Sequence, residues 1–173
     1  MTPEQLDDYS GRAFKFAIYP KAGSDIAYPA LGLCGETSET YMKLASKSVM
    51  TDDILKECGD VLWYCNAVAI TCGRTLGAIQ IVGGHYGSAL DAAGWMFVHA
   101  GAIAEQGKKV IRGGEALEGR RDKILHHLGL LLGALLYIID TMAGTMESVA
   151  NDNLSKLGDR EDRGLIHGDG DNR

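Results

Sequence analysis

The stretch Thr51-Asp-Asp-Ile-Leu-Lys-Glu57-Cys-Gly-Asp60-Val-Leu-Trp63-Tyr-Cys65-Asn-Ala-Val-Ala-Ile-Thr-Cys72 decides the fold class. It opens on Thr51-Asp52-Asp53, a helix start with acids at the positive end of the dipole. Cys58, Cys65 and Cys72 recur every seven residues and so fall along one stripe of that helix. Cysteines on one stripe cannot easily pair within the helix, and no Cys-x-x-Cys occurs, so they read as small buried hydrophobes in a reducing cytoplasm.

Outward from this stretch the helical pattern continues. Proline is confined to Pro3, Pro20 and Pro29, and no alternating strand pattern persists for more than a few residues. Helices are expected from Pro3 to about Tyr19, Pro29 to about Ser48, and Thr51 to about Cys72. A short one is expected from Leu76 to Ile81, followed by Ala89–Ile111, about Lys123 to Met142, and a last one to Leu157. The class is all-α, a helical bundle. The longest apolar run, Leu128–Ile139, is shorter than the ~20 residues a membrane span needs, and reads as a buried helix. A helix apolar almost all round needs partners on every side, which favours a homo-oligomer, dimer or tetramer.

The chain of 173 residues carries 23 acidic and 17 basic side chains and a net charge of −6, which argues against binding a nucleic-acid backbone. Glycine is in excess, with 23 residues. No membrane partner is expected, and the N-terminus lacks the pattern of a secretory signal.

Ile54–Ile79 aligns without a gap on Ile124–Val149, pairing Gly59 with Gly129 among six identities. Upstream, Glu39 and Lys43 fall opposite Glu105 and Lys109. The alignment reads as an internal duplication, or as two unrelated amphipathic hairpins sharing helical periodicity. The expected organisation is one domain: residues 25–84 a carboxylate half, 88–157 a degenerate half, and 158–173 a glycine-rich charged tail. Opposite Glu36, Glu57 and Asp60 stand Ala102, His127 and Leu130, so the second half lacks the acids.

Those acids are the sharpest feature. Glu36-x-x-Glu39 and Glu57-x-x-Asp60 each present two carboxylates on one helix face, and the short connection between them makes the helices antiparallel neighbours. Four carboxylates that close, flanked by apolar residues, raise one another's pKa, and a hard divalent cation relieves them. An all-oxygen shell suits Mg²⁺, with Mn²⁺ as a substitute. The competing reading is a solvated acidic face neutralised by Lys43 and Lys56.

The string Leu33-Cys-Gly-Glu36-Thr-Ser-Glu39, followed by Glu57-Cys-Gly-Asp60-Val-Leu-Trp63-Tyr64, resembles the MazG-like all-α nucleoside triphosphate pyrophosphohydrolases. Lys108-Lys109-Val-Ile-Arg112 resembles that family's basic stretch. Asn153-Leu-Ser-Lys156-Leu157 resembles the N-x-x-K-L of its last helix, and Arg160–Arg173 the tail of its phage members. A usual member carries one copy of every motif. Here the carboxylates lie in the first half and the basic stretch, N-x-x-K and tail in the second.

The resemblance implies hydrolysis of a (d)NTP, (d)GTP first, between the α and β phosphates, giving a monophosphate and pyrophosphate. Glu36, Glu39, Glu57 and Asp60 would bind Mg²⁺ and orient water. Asn153 and Lys156 would hold the nucleotide, with Lys109 and Arg112 as further phosphate contacts. Trp63 would flank the base or pack in the core. The alternatives are a dUTPase- or dCTPase-type activity on the same scaffold, or a non-catalytic nucleotide-binding helical protein. The expected location is the cytoplasm, that of the host if the chain is phage-encoded.

Overall fold

The computed structural model describes residues 1–46, 48–113 and 116–165. It is all-α, with helices α1 (Pro3–Phe14), α2 (Ala27–Ala45), α3 (Thr51–Thr71), α4 (Ala89–Ile111), α5 (Leu117–Thr141) and α6 (Met146–Asp162). A single 3₁₀ turn, Leu76–Ala78, lies between α3 and α4. No strand occurs among the described residues.

Local chemistry accounts for several helix starts. Thr2 and Gln5 form a reciprocal capping box before Pro3. The Ser88 hydroxyl accepts from Asp91 N, and the Thr145 hydroxyl from Ser148 N. Ala27 N is taken by the Asp25 carboxylate at 2.9 Å.

Two hairpins, α2–α3 and α4–α5, make the bundle. They join through α2 against α4, while α6 packs on α3 and α1 closes over α3 and the 3₁₀ turn. Cys58, Cys65 and Cys72 are fully buried, as their heptad spacing requires. α5 is longer than its apolar run, and by length and composition it could cross a membrane. In this fold it is the core helix, with Leu128, Leu131, Ala134, Leu135 and Ile138 sealed. The neighbours its apolar faces require are supplied within the chain, by α3, α4 and the segment after the 3₁₀ turn.

Glycines on α3 and α5 admit the segments that cross them. Gly59 on α3 leaves room for α6, since a Cβ there would lie 3.2 Å from Asn153 Cβ. Its counterpart Gly129 on α5 leaves room for extended backbone instead: a Cβ would lie 2.2 Å from Gln80 O, and at Gly133 1.9 Å from Val82 O. Val82 N completes the contact by donating to Gly129 O at 3.1 Å. α6 therefore lies on α3, and the segment after the 3₁₀ turn lies on α5.

The segment on α5 corrects one expectation. Leu76–Ile81 is a single 3₁₀ turn followed by extended chain, because a helix over Gln80–Gly83 would hold its backbone away from Gly129 and Gly133. α1 stops at Phe14, not Tyr19. Beyond it the chain makes tight turns through Ala17, and the Tyr19 ring stacks on Tyr28 at 4.2 Å. α2 spans Ala27–Ala45 where the expectation was Pro29 to about Ser48, and Lys47 lies outside the described residues. α5 begins six residues before Lys123, where Arg120 can reach Gln106 on α4. α6 runs to Asp162, so residues 158–162 of the expected tail are helix. Arg160 is buried there, and Asp159 and Arg163 pair one turn apart at 2.9 Å. The remainder of that tail, from Ile166, lies outside the described residues.

Candidate functional site

α2 and α3 present their acids to each other across the hairpin. One carboxylate oxygen from each of Glu36, Glu39 and Glu57 lies within 4.8 Å of the others. Oxygens on opposite sides of one Mg²⁺ shell are about 4.2 Å apart, since each sits at about 2.1 Å from the ion. The limit of 4.8 Å is slightly wider than that shell, so an ion would draw the three carboxylates together, and their all-oxygen donor set fits that class of ion. Their exposure is graded: Glu57 is buried, Glu36 half-buried and Glu39 exposed.

Burial is the first cause that raises the Glu36 carboxyl, to about 8. The charges of Asp60, Glu39 and Glu57 add to it, and Lys156 opposes them. The fourth acid is therefore electrostatically part of the cluster, though it stands outside the triad of close oxygens.

Asp60 is clamped from α6. Asn153 Nδ2 donates to its Oδ1 at 3.2 Å, and Lys156 Nζ contacts its Oδ2. Tyr9 on α1 donates its hydroxyl to Asn153 Oδ1 at 2.9 Å, which fixes the direction of the amide. Asn153 is buried, so its amide positions Asp60 from beneath. Lys43 reaches across from α2 to Glu57 Oε1, while Lys56 pairs with Asp53 on its own helix at 3.1 Å.

A cavity of about 570 Å³ opens between α3 and α6, lined not by the four acids but by their partners Lys43, Asn153 and Lys156. Its walls include Lys43, Lys56 and Lys156 with Asp53, Asp152 and Gly59. That volume is in the range of small-molecule sites.

The structure gathers Glu36, Glu39, Glu57, Asp60, Asn153 and Lys156 in one place, and sets three other sequence candidates apart. Lys109 pairs with Glu105 on α4 at 3.6 Å. Gly107, two residues earlier, packs over Ile26 and Ala30. Ala30 is six residues before Glu36, about 9 Å along α2, and Lys109 and exposed Arg112 lie further on still. Trp63 donates Nε1 to Ala13 O at 3.0 Å and packs edge-on against Tyr19 and Tyr64, anchoring the end of α1.

Tyr9 and the cavity-lining Asp152 escaped the sequence reading. Tyr9 carries no local signal, because its partner lies 144 positions away. Lys43 had a signal, its place one turn beyond Glu39, but the spacing alone did not say which helix it would serve.

No family model matches the chain, and no solved structure matches it. The Gene 37 protein of Mycobacterium phage L5 is 36% identical over 76 residues, which cover 43% of this chain and 67% of that protein. Its name specifies no activity.

Proposed function

We propose that this chain, which belongs to the family of the Gene 37 protein of Mycobacterium phage L5, is an Mg²⁺-dependent nucleotide pyrophosphohydrolase. It would cleave a (d)NTP, (d)GTP first, between the α and β phosphates to a (d)NMP and pyrophosphate. One observation carries the reading: three carboxylates offer oxygens within 4.8 Å of one another, and the lysines paired with Glu57 and Asp60, Lys43 and Lys156, line a neighbouring cavity. The resemblance of ExxE and ExxD to the MazG-like enzymes supports it.

Glu36, Glu39 and Glu57 would hold Mg²⁺, or Mn²⁺ in its place, with Asp60 adding its charge beside them. The ion would supply positive charge to phosphate oxygens and acidify a water. Lys156, and Lys43 and Lys56 at the cavity wall, would counter the remaining phosphate charge. Asn153 and Tyr9 hold Asp60 in register. Trp63, Lys109 and Arg112 have no part in this scheme.

The second reading is a non-catalytic helical protein. It draws on the lysines that sit on Glu57 and Asp60, which neutralise two of the four acids without a metal. Incubating the chain with each of the eight (d)NTPs and dUTP, with and without Mg²⁺, separates the readings. Ion-exchange chromatography should show Mg²⁺-dependent pyrophosphate from at least one substrate. A preference for dUTP or dCTP would replace (d)GTP within the same class, and no turnover of any would leave the non-catalytic reading.

We also propose a homo-oligomer. Leu31 and Met42 on α2 and Trp95, Phe97 and Val98 on α4 are exposed apolar side chains that a second copy could cover. Light scattering tests it. Kinship with a phage protein supports the host cytoplasm as its location.

A further inference from the structure

The degenerate half carries chemistry of a different kind at the place where the first half carries its acids. His127 on α5 stands seventy residues after Glu57, at the matched position of the alignment. Its Nδ1 lies 3.3 Å from Nδ1 of His99, which reaches across from α4. Two nitrogens bound at about 2.05 Å to one tetrahedral zinc are about 3.3 Å apart. The two rings are tilted by 33° with centroids 5.5 Å apart, so neither lies flat on the other.

The surroundings favour ligation. Both rings are half-buried, and Trp95 stacks along His99 at 5.9 Å with 27° between the planes. The two Nδ1 atoms share one proton in a hydrogen bond, and an ion would take that proton's place between two neutral imidazoles. His126 is adjacent in sequence but exposed, with its ring centroid 5.6 Å from that of His127.

We propose that His99 and His127 form a second metal site, for a borderline divalent cation such as Zn²⁺ or Ni²⁺, with water completing the shell. Exchanging carboxylate for imidazole at the matched position changes the preferred ion from a hard one to a borderline one. The bound ion clasps α4 to α5 on the bundle surface, and so adds to stability rather than to turnover.

The test is calorimetric titration of the whole chain with Zn²⁺ in the presence of excess Mg²⁺, which occupies hard-oxygen sites. One equivalent of Zn²⁺ should bind to the native chain and equally to Glu57→Gln. In His99→Ala and in His127→Ala the affinity should fall ~100-fold or more, since even outer-shell partners of a metal are worth about 10–100-fold. Zn²⁺ should raise the Tm of the native chain and of Glu57→Gln, and leave both histidine variants unmoved. If either variant does not fold, imidazole nitrogen shifts in the native chain on adding Zn²⁺ give the same answer. Zn²⁺ affinity unchanged in both variants, loss in Glu57→Gln alone, or no binding to the native chain would overturn the proposal. Because Glu57→Gln removes the acidic site and leaves this one, its outcome is separate from that of the hydrolase reading.

Discussion

Asn153 on α6 donates its amide to Asp60 on α3 at 3.2 Å, so the last helix holds an acid of the α2–α3 hairpin. The contact joins segments 93 positions apart, and Gly59 provides the room for it. Tyr9 locks the amide from its far side.

Replacing Asn153 with Ala should therefore do two things. It removes a partner from a buried tyrosine hydroxyl and from Asp60, which costs about 1–3 kcal/mol. It also releases Asp60, so turnover should fall more than substrate affinity. Urea denaturation and a kcat-against-KM comparison check both parts; an unchanged stability would mean that the Tyr9–Asn153 bond is of no consequence.

The glycines under these crossing segments give a prediction with an internal control. Gly129→Ala would place Cβ 2.2 Å from the Gln80 carbonyl, backbone that cannot rotate away, and should cost about 1–3 kcal/mol or more. Gly59→Ala meets Asn153 Cβ at 3.2 Å and should cost less. Gly101→Ala, in the middle of α4 with nothing within 4 Å, should stabilise by about 0.5–1 kcal/mol. Thermal melts of the three variants should fall in that order.

How much of this was legible in the sequence depends on the range of the contacts. The three-residue spacing of Glu36 and Glu39, and of Glu57 and Asp60, places each pair on one helix face, and the short link between α2 and α3 turns the faces together. Helix α4 has the bounds its residues imply, because Ser88 caps its start and Gly113, in the left-handed region at φ +80°, follows its end. Tyr9–Asn153 and the crossing of Gln80–Gly83 over α5 depend on partners far along the chain, which no local pattern encodes. The position of Lys109 and Arg112 relative to the acids was not legible either, because it depends on how far α4 runs past the start of α2.

The cluster should titrate. With Glu36 raised to about 8 and its unfolded value near ~4.3, the folded chain binds more protons between those pH values. The stability this contributes is full below pH ~4.3 and is lost as pH rises through about 8. Glu36→Gln should flatten that slope in metal-free buffer. By the same protonation, Mg²⁺ binding at pH 7 should release a proton, measurable as a dependence of the binding heat on the ionisation enthalpy of the buffer. A heat independent of the buffer would contradict this assignment of Glu36.

Trp63→Phe should leave KM for the nucleotide unchanged. It loses the bond from Nε1 to Ala13 O, worth about 1 kcal/mol, so its effect should be on stability and on the order of residues 13–19. A large rise in KM would return Trp63 to the substrate.

The central claim is Mg²⁺-dependent cleavage between the α and β phosphates, and ³¹P NMR of one reaction tests it most directly. With dGTP and Mg²⁺ the native chain should give dGMP and pyrophosphate in equal amounts. Turnover should vanish without the cation and fall ~100-fold or more in Glu57→Gln, with the helical circular dichroism retained. Release of free phosphate with dGDP, or full activity in Glu57→Gln, would contradict it.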